Sequence, residues 1–251
     1  MKIGIFAAGE VGLKIVSLFS NRGKKIECLI LSDHKKNDLN NQIQKTANCE
    51  NIFYNRDLYK TQVLESLKSL NIDLMVLAWW PHIIKPPLFC VSRMGFLNTH
   101  PSLLPHNRGK HYFFWNLVED VPFGVTLHWI DENIDQGDIA FQKELDTSWE
   151  DTGFSLRERA IKAIGILFEE NFDLIFSGNI PKRKQDLEKG SFRWSREIED
   201  ASKIDLGRLY SGEELLNLIR GLSGFSGRAA WFEVGNTKYE VTLSIKKAMN
   251  E

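Results

Sequence analysis

Three short apolar runs, separated by segments with helical spacing, constrain the fold of this chain more than any other feature. The runs cover residues 3–8, 26–31 and 73–79, and apolar side chains recur at helical spacing in residues 9–19 and 58–70. Strands that alternate with helices predict a parallel sheet with helices on both faces. Because the runs are continuously apolar, we expect these strands to be buried on both sides.

The second half of the chain has a different pattern. Residues 124–131 alternate apolar and polar side chains, and residues 139–145 do so less regularly, which predicts antiparallel strands at the edge of the sheet. Asp151 and Thr152 are candidate caps of a long helix that reaches about residue 176. The segments that follow predict, in order, a surface linker at 181–206, a capped helix at 211–222 and a β-hairpin at 229–245.

These patterns together predict an α/β fold with a Rossmann-like, mostly parallel sheet, antiparallel edge strands and a short α+β tail. A hydrophobic content of 43% in 251 residues is sufficient for a large core. We expect a catalytic domain at 1–180 and an extension at 181–251 that contains the linker, the helix and the hairpin.

Charge and cysteine usage exclude several classes of function. The 32 basic and 33 acidic residues give a net charge of −1, so no general attraction to nucleic acid or anionic membranes is expected, although a local basic groove is compatible with this balance. No apolar run reaches the roughly 20 residues of a spanning helix, and the N-terminus does not resemble a signal peptide. Cys28, Cys49 and Cys90 lack metal or disulfide spacing. A cytoplasmic protein is therefore expected.

The segment at residues 95–105 contains the most chemically suggestive side chains. Pro101 disfavours the α conformation at His100, so residues 95–100 are predicted to be extended. In a strand, Asn98 and His100 then share a face while Thr99 points away. Residue chemistry alone leaves two interpretations: a catalytic amide and imidazole, or a proline-rich turn with a capping Asn98 and a surface His100. Composition by itself favours the turn.

A glycine pattern near the N-terminus suggests a rival function. Gly9 and Gly12 follow a strand and open a helix, and Asp33 ends the second strand, as in dinucleotide-binding proteins. Ala7 occupies the position of the first glycine of that pattern, which weakens the phosphate-binding turn. The alternative is that Gly9 and Gly12 only allow the first helix to pack closely on the sheet, and a dehydrogenase ranks well behind the other hypotheses.

Two separated motifs resemble the signature of folate-dependent formyltransferases. They read N-T-H-P-S-L-L-P-H-N-R-G at 98–109 and F-G-V-T-L-H-W-I-D-E-N-I-D-Q-G-D-I at 123–139. The Asn-x-His and Asp-x-Gly of that family align with Asn98, His100 and Asp135. The resemblance extends from residue 1 to about residue 180 and implies the formyltransferase fold.

The resemblance implies formyl transfer from N10-formyltetrahydrofolate, as co-substrate, to an amine. Asn98 would stabilise the oxyanion of the tetrahedral intermediate. His100 would accept the amine proton or stabilise the oxyanion as imidazolium, and Asp135 would hold the imidazole. The reaction needs no metal, and the sequence contains no convincing ligand cluster, so no metal site is expected.

The resemblance also suggests which residues bind the two substrates. Folate-pocket candidates lie in two loops and are Trp80, Pro81, Ile83, Ile84, Asp131 and Ile134. Trp79 and Trp80 are alternatively core residues. Candidates for the amine substrate are Ser102, Arg108, Lys110, His111 and Trp194, since guanidinium and ammonium groups bind diphosphates. The alternative for the basic residues is a solvated loop, and the alternative for Trp194 is core packing. Structural roles are expected for His106 and His128.

Several features favour the sugar-nucleotide N-formyltransferases within this family. Too few residues follow Gly178 for the C-terminal barrel of methionyl-tRNA formyltransferases, and F-R-W at 192–194 and A-A-W-F at 229–232 resemble the short tail of the sugar enzymes. The expected substrate is a nucleotide-linked amino-dideoxyhexose, such as dTDP-4-amino-4,6-dideoxyglucose, used for surface glycans such as the O-antigen of lipopolysaccharide. A homodimer is expected. The alternatives are a tRNA formyltransferase and an inactive folate- or nucleotide-binding module.

Overall fold

A computed structural model describes residues 1–32 and 38–248. Its strands are β1 Ile3–Ala7, β2 Cys28–Leu31, β3 Ile52–Tyr54, β4 Leu74–Ala78, β5 Phe96–His100, β6 Arg108–Gly109, β7 Phe123–Trp129, β8 Ile139–Leu145, β9 Phe192–Arg193, β10 Ala230–Val234 and β11 Thr237–Val241. Its α-helices are α1 Gly9–Asn21, α2 Asp38–Ala47, α3 Thr61–Ser69, α4 Tyr112–Val118, α5 Gly153–Glu170, α6 Phe172–Ser177, α7 Glu197–Ala201 and α8 Gly212–Leu222. Asp33, the candidate ribose ligand, lies outside the described residues.

The main sheet has seven strands in the order β3-β2-β1-β4-β5-β7-β8. The pairs β1–β2, β2–β3, β1–β4 and β4–β5 are parallel, whereas β7 runs antiparallel to β5. Every residue of β1, β2 and β4 is buried, as their continuous apolar runs predict. The α/β prediction with a mostly parallel sheet and antiparallel edge is therefore confirmed.

The chain divides into two compact units. The first contains residues 1–100, 126–142 and 161–185, and the second contains residues 101–125, 143–160 and 186–251. In the first unit, apolar residues from β1, β2, β4 and β5 form a core with side chains of α3 and the loop after β4. In the second unit, α4 and α8 share a smaller core with the β10–β11 hairpin. The predicted division at residue 180 stays a prediction.

The glycine turn after β1 brings α1 close to the strand. A Cβ on Gly12 would lie 3.0 Å from the carbonyl carbon of Ala7, and Gly9 has a φ of +59°. Both positions thus fit the interpretation in which these glycines serve close helix packing.

Three predicted elements differ from the structure. The helix predicted to reach residue 176 is two helices, because helical structure is interrupted at Asn171. The Asn171 side-chain amide donates to the Leu167 carbonyl oxygen at 2.8 Å. The predicted 181–206 linker contains β9 and α7, and β9 pairs with β6. The second hairpin strand ends at Val241 rather than at residue 245. These differences depend on tertiary contacts that helical or strand periodicity does not encode.

The caps at Thr152 and Ser211 form as predicted. Thr152 Oγ1 accepts the Ser155 N–H at 3.2 Å, and Ser155 Oγ in turn accepts the Thr152 N–H at 3.0 Å. Ser211 Oγ accepts the Glu214 N–H at 3.0 Å. Each bond satisfies a donor that the first turn of a helix leaves unpaired. Among the described residues, no helix is both long and apolar enough to cross a membrane.

Candidate active site

The antiparallel pair β5–β7 brings two separated parts of the sequence into register. Asn98 lies opposite His128, and His100 lies opposite Thr126. Because alternate residues of a strand share a face, Asn98, His100 and His128 converge on one side of the sheet. His100 is 4% exposed and His128 is 1% exposed. The sheet therefore holds one half-buried amide beside two buried imidazoles.

The loop after β7 adds Asp135 to this group. Asp135 Oδ2 is 3.6 Å from His100 Nδ1, and its Oδ1 is 3.6 Å from His128 Nε2. The Asp135 side chain is 14% exposed, and its backbone has a φ of +54°, a conformation that Asp tolerates better than most residues. The three predicted catalytic residues, Asn98, His100 and Asp135, are thus close together, and their roles stay predictions.

His128 fixes the orientation of the Asn98 amide. Burial lowers the pKa of His128 to about 4, and the nearby Asp135 only partly offsets this effect. A neutral His128 donates from Nδ1 to its neighbour's carbonyl, Trp129 O, at 2.8 Å, so its Nε2 accepts from Asn98 Nδ2 at 3.0 Å. The sequence interpretation of His128 as structural did not include this contact, because the register of β5 and β7 that creates it forms only in the folded chain.

Thr99 points away from this group, as the strand alternation predicts. Its hydroxyl accepts the Trp79 N–H at 2.9 Å and donates to the Leu77 carbonyl oxygen at 3.1 Å. Trp79 has a φ of +59° directly after β4. Thr99 therefore ties β5 to the start of the loop that follows β4.

The geometry corrects one expectation about metals. One ligand atom each from His100, His128 and Asp135 lie within 4.8 Å of one another, so a group with the spacing of metal ligands does exist among the described residues. The bond from Asn98 Nδ2 to His128 Nε2 already uses the lone pair that a metal would need. One hydrogen bond, between Asn98 and His128, and two contacts of 3.6 Å to Asp135 join the four side chains. The expectation that the reaction needs no metal stays a prediction.

The four side chains lie in a part of the chain that matches a known protein family. The family model of the formyl transferases matches residues 7–169, which include all four side chains. The chain belongs to the formyl transferase family. A second family model, the N-formyltransferase dimerization C-terminal domain, matches residues 197–247.

Relatives of this formyl transferase include methionyl-tRNA formyltransferases and cytosolic 10-formyltetrahydrofolate dehydrogenases. Methionyl-tRNA formyltransferase of Fusobacterium nucleatum is 28% identical over 218 residues, which are 84% of this chain and 66% of the relative. The chain spans less than two thirds of the length of the first curated relatives that it matches.

Solved structures agree on the fold. A sugar N-formyltransferase from a Shewanella species has a TM-score of 0.83 at 21% identity and covers 99% of both chains. An N-formyltransferase from Helicobacter canadensis, solved with folinic acid and dTDP-3-aminofucose, has a TM-score of 0.72 at 22% identity over 88% of this chain and 80% of that one. These likenesses establish the formyltransferase fold.

The predicted folate-pocket residues of this formyl transferase have different environments. Trp80 and Ile84 are buried in the first unit's core, where Trp80 packs edge-on against Phe6 at 5.0 Å. Ile83 is 59% exposed and Pro81 is also exposed, so both present apolar surface on the loop after β4. Ile134 is half-buried, and Asp131 accepts the Asn133 N–H at 2.9 Å. Pocket roles stay predictions for all six residues, with the side chains of Trp80 and Ile84 already used in the core.

Two of the predicted amine-substrate residues are buried and donate hydrogen bonds to backbone carbonyl oxygens of their own unit. Ser102 Oγ donates to the His106 carbonyl oxygen at 2.7 Å. Arg108 is 7% exposed, and its Nε donates to the Ser191 carbonyl oxygen at 3.2 Å. Both residues therefore shape the second unit locally, and substrate contact by either one stays a prediction.

The remaining three candidates lie close together on the second unit. The Lys110 N–H bonds the carbonyl oxygen of Arg193, next to Trp194, whose side chain is 52% exposed. His111 Nε2 is 3.2 Å from Ser195 O, and Arg228 donates to His111 Nδ1 at 3.1 Å. Burial, followed by the charge of Arg228, lowers the pKa of His111, which favours this neutral acceptor.

Arg228 is a further candidate for binding the amine substrate, and the sequence analysis did not identify it. Among the described residues, Arg228 contacts His111, and no described carboxylate pairs with it. Only the fold brings residue 228 beside residue 111, so no spacing in the sequence identifies it.

Proposed function

We propose that this protein transfers a formyl group from N10-formyltetrahydrofolate to the amino group of a nucleotide-linked amino-dideoxyhexose. The observation that carries the proposal is the group of Asn98, His100, His128 and Asp135, two buried histidines beside a half-buried amide and carboxylate, where β5 meets β7 and the loop after it. Its members supply a hydrogen-bond donor, a proton acceptor and a carboxylate, which acyl transfer to an amine requires.

Asn98 stabilises charge on the formyl oxygen. When the neutral amine attacks the formyl carbon, a new C–N bond forms and the carbonyl π electrons move to the oxygen. An amide nitrogen carries two hydrogens, and His128 Nε2 accepts one of them. The other N–H donates to the developing oxyanion, and burial strengthens this contact because little water competes for it.

His100 and Asp135 handle the proton of the amine. The Nδ1 side of His100 faces Asp135 at 3.6 Å, and we assign the proton transfer to its Nε2. His100 takes one proton from the attacking amine, and the adjacent carboxylate stabilises the resulting imidazolium. The carbonyl then re-forms as the bond from the formyl carbon to folate N10 breaks, the His100 imidazolium returns its proton to N10, and tetrahydrofolate and the formamide leave.

The C-terminal part of the chain supports a sugar acceptor and a homodimer. Residues 197–247 match the dimerization domain of N-formyltransferases, and the structural relatives described above include sugar N-formyltransferases. Lys110 and Arg228, on either side of a neutral His111, add cationic donors of the kind that bind a diphosphate. A 4-amino-4,6-dideoxyhexose on dTDP, used in surface glycans such as the lipopolysaccharide O-antigen, is the substrate we propose.

Formylation of methionyl-tRNA is the second candidate, since the Fusobacterium relative is a methionyl-tRNA formyltransferase. The net charge of −1 does not favour a polyanionic substrate. The two candidates share the reaction and differ only in the amine.

A mass-spectrometric turnover assay separates these candidates. The protein is mixed with N10-formyltetrahydrofolate and either a panel of amino-sugar nucleotides or charged initiator methionyl-tRNA. We expect a sugar nucleotide that gains the mass of a formyl group. Formylated tRNA without any sugar product would replace the proposed substrate, and folate binding without turnover of any acceptor would favour an inactive binding module.

A further inference from the structure

We infer that Gln185 is a positioning residue that holds the Asp135 loop in its catalytic shape. Gln185 Nε2 donates to the carbonyl oxygen of Asp135 at 2.9 Å and to that of Gly137 at 2.7 Å. One side-chain amide therefore spans the backbone on both sides of residue 136. Because the contact is to the main chain of the loop, it fixes the backbone position from which the Asp135 side chain extends.

Gln185 belongs to a segment that follows this loop over several residues. The Trp129 indole N–H donates to the Pro181 carbonyl oxygen at 3.0 Å. Ile139 and Arg183 exchange two backbone hydrogen bonds of 2.8 and 2.9 Å. The segment 181–185 is thus fixed at both ends of the Asp135 loop, and Gln185 adds the contact at its centre. This segment lies beyond the part of the chain, 7–169, that the formyl transferase family model matches.

The loop itself has a conformation that needs external support. Asp135 has a φ of +54°, which is costly for a residue with a Cβ. A Cβ on Gly137 would lie 1.9 Å from the Trp129 carbonyl oxygen, so the chain passes very close to β7 at this point. Strained backbone persists only where surrounding contacts enforce it. Gln185 supplies two such contacts at the catalytic carboxylate.

The other half of the Gln185 amide suggests that this contact serves function more than stability. Gln185 Oε1 is buried and has no hydrogen-bond partner among the described residues. A buried acceptor without a partner is unfavourable, and rotating the amide would place that oxygen against two carbonyl oxygens. Because this orphaned acceptor offsets the two bonds made by Nε2, we expect substitution of Gln185 to change the melting temperature little.

The inference rests on the proposed function, and a matched set of variants tests it. Gln185→Met keeps the length of the side chain and removes its donors, and Lys184→Met makes the same replacement at the exposed neighbour. We expect Gln185→Met to lower kcat about tenfold to a hundredfold with little change in KM, since a small displacement of a catalytic group has effects of this size. Gln185→Glu should lower kcat further because an anionic oxygen then faces two carbonyl oxygens. Lys184→Met should match the wild type.

A double-substitution cycle shows whether Gln185 acts through Asp135. In an Asp135→Ala background, Gln185→Met should reduce the remaining kcat less than about twofold, because the group that it positions is gone. A full multiplicative loss in that background, or a Gln185→Met enzyme as fast as Lys184→Met, would overturn the inference.

Amide hydrogen exchange gives a result that does not depend on turnover. Gln185→Met, unlike Lys184→Met, should accelerate exchange within residues 131–138. If the wild type formylates no acceptor, the proposed function fails, and this exchange measurement alone decides the local role. Equal exchange in the two variants would then refute it.

Discussion

The group around His100 and the group around His111 contain similar side chains in very different settings. His100 lies in the first unit, almost fully buried, beside a carboxylate and a second buried histidine. His111 lies in the second unit, half-buried, beside the exposed cations Lys110 and Arg228. The first group is organised by strand register, and the second by a loop and a helix start.

This difference corresponds to two kinds of task. A group that stabilises charge in a transition state must be fixed beforehand and shielded from water, which a buried sheet provides. A group that binds an anionic substrate can remain exposed, since its contacts form when the ligand arrives. We therefore expect changes in the buried group to affect kcat and changes in the exposed group to affect KM.

Removal of a catalytic side chain is the strongest test of this comparison. Asn98→Ala, His100→Ala and Asp135→Ala should each lower kcat about a hundredfold or more, the scale of losing an oxyanion donor or general base. The assay is formyl transfer followed by mass spectrometry. His106→Ala, a replacement of a histidine in the second unit, is the matched control and should keep nearly full activity. Near-wild-type turnover in all three variants would remove the mechanism.

Substitution of His128 should have a smaller effect on the same group. His128→Ala removes the acceptor that orients the Asn98 amide, and we expect kcat to fall about tenfold with KM nearly unchanged. Steady-state kinetics on both substrates measure this split. In an Asn98→Ala background the further loss should vanish, and an undiminished loss there would show that His128 acts in some other way.

Lys110 tests the exposed group. Lys110→Ala should raise the KM for the sugar nucleotide about fivefold and leave kcat close to that of the wild type, as expected when a contact is equal in the ground and transition states. The KM for folate is the internal control and should not change. A drop in kcat of the size expected for His128→Ala would show that the exposed group contributes to the chemical step and not only to substrate binding.

The smallest expected effect concerns stability and pH. The pKa of His128 is about 4 when folded and about 6.5 when unfolded. Between these values the unfolded chain binds more protons than the folded chain. The contribution of His128 to the free energy of unfolding is therefore fully present above about pH 6.5 and is lost as the pH falls toward 4. This histidine should contribute a loss of about 1 kcal/mol between about pH 8 and about pH 5.5. Urea unfolding of wild type and His128→Gln measures it, and equal pH dependence in both would exclude this histidine as the source.

Much of the fold could be predicted because local patterns dominate there. The continuous apolar runs identified β1, β2 and β4, and Pro101 indicated the extended β5. Among the elements that were missed, β6 and β9 have two residues each, and their pairing joins residues about 84 positions apart. A two-residue strand has no periodicity to detect, so only its partner defines it.

The candidate site shows the same limit. The resemblance of two sequence motifs to the formyltransferase signature nominated Asn98, His100 and Asp135, whereas residue chemistry alone left a proline-rich turn as the favoured interpretation. His128, Gln185 and Arg228 were missed, because their importance depends on a neighbour that is distant in sequence. Several nominated residues, among them Trp80 and Arg108, are committed to packing or to backbone contacts that their residue type does not reveal.

By itself the sequence determined the α/β class, the formyl transferase motifs and the identity of three candidate catalytic side chains. Only the tertiary structure decided that His128 faces Asn98, that Asp135 adopts a left-handed backbone, and that Gln185 supports it. The physical reason is the range of the forces involved. Strand and helix patterns reflect burial of nearby side chains, whereas a hydrogen bond requires two specific atoms about 3 Å apart, which only the folded chain brings together.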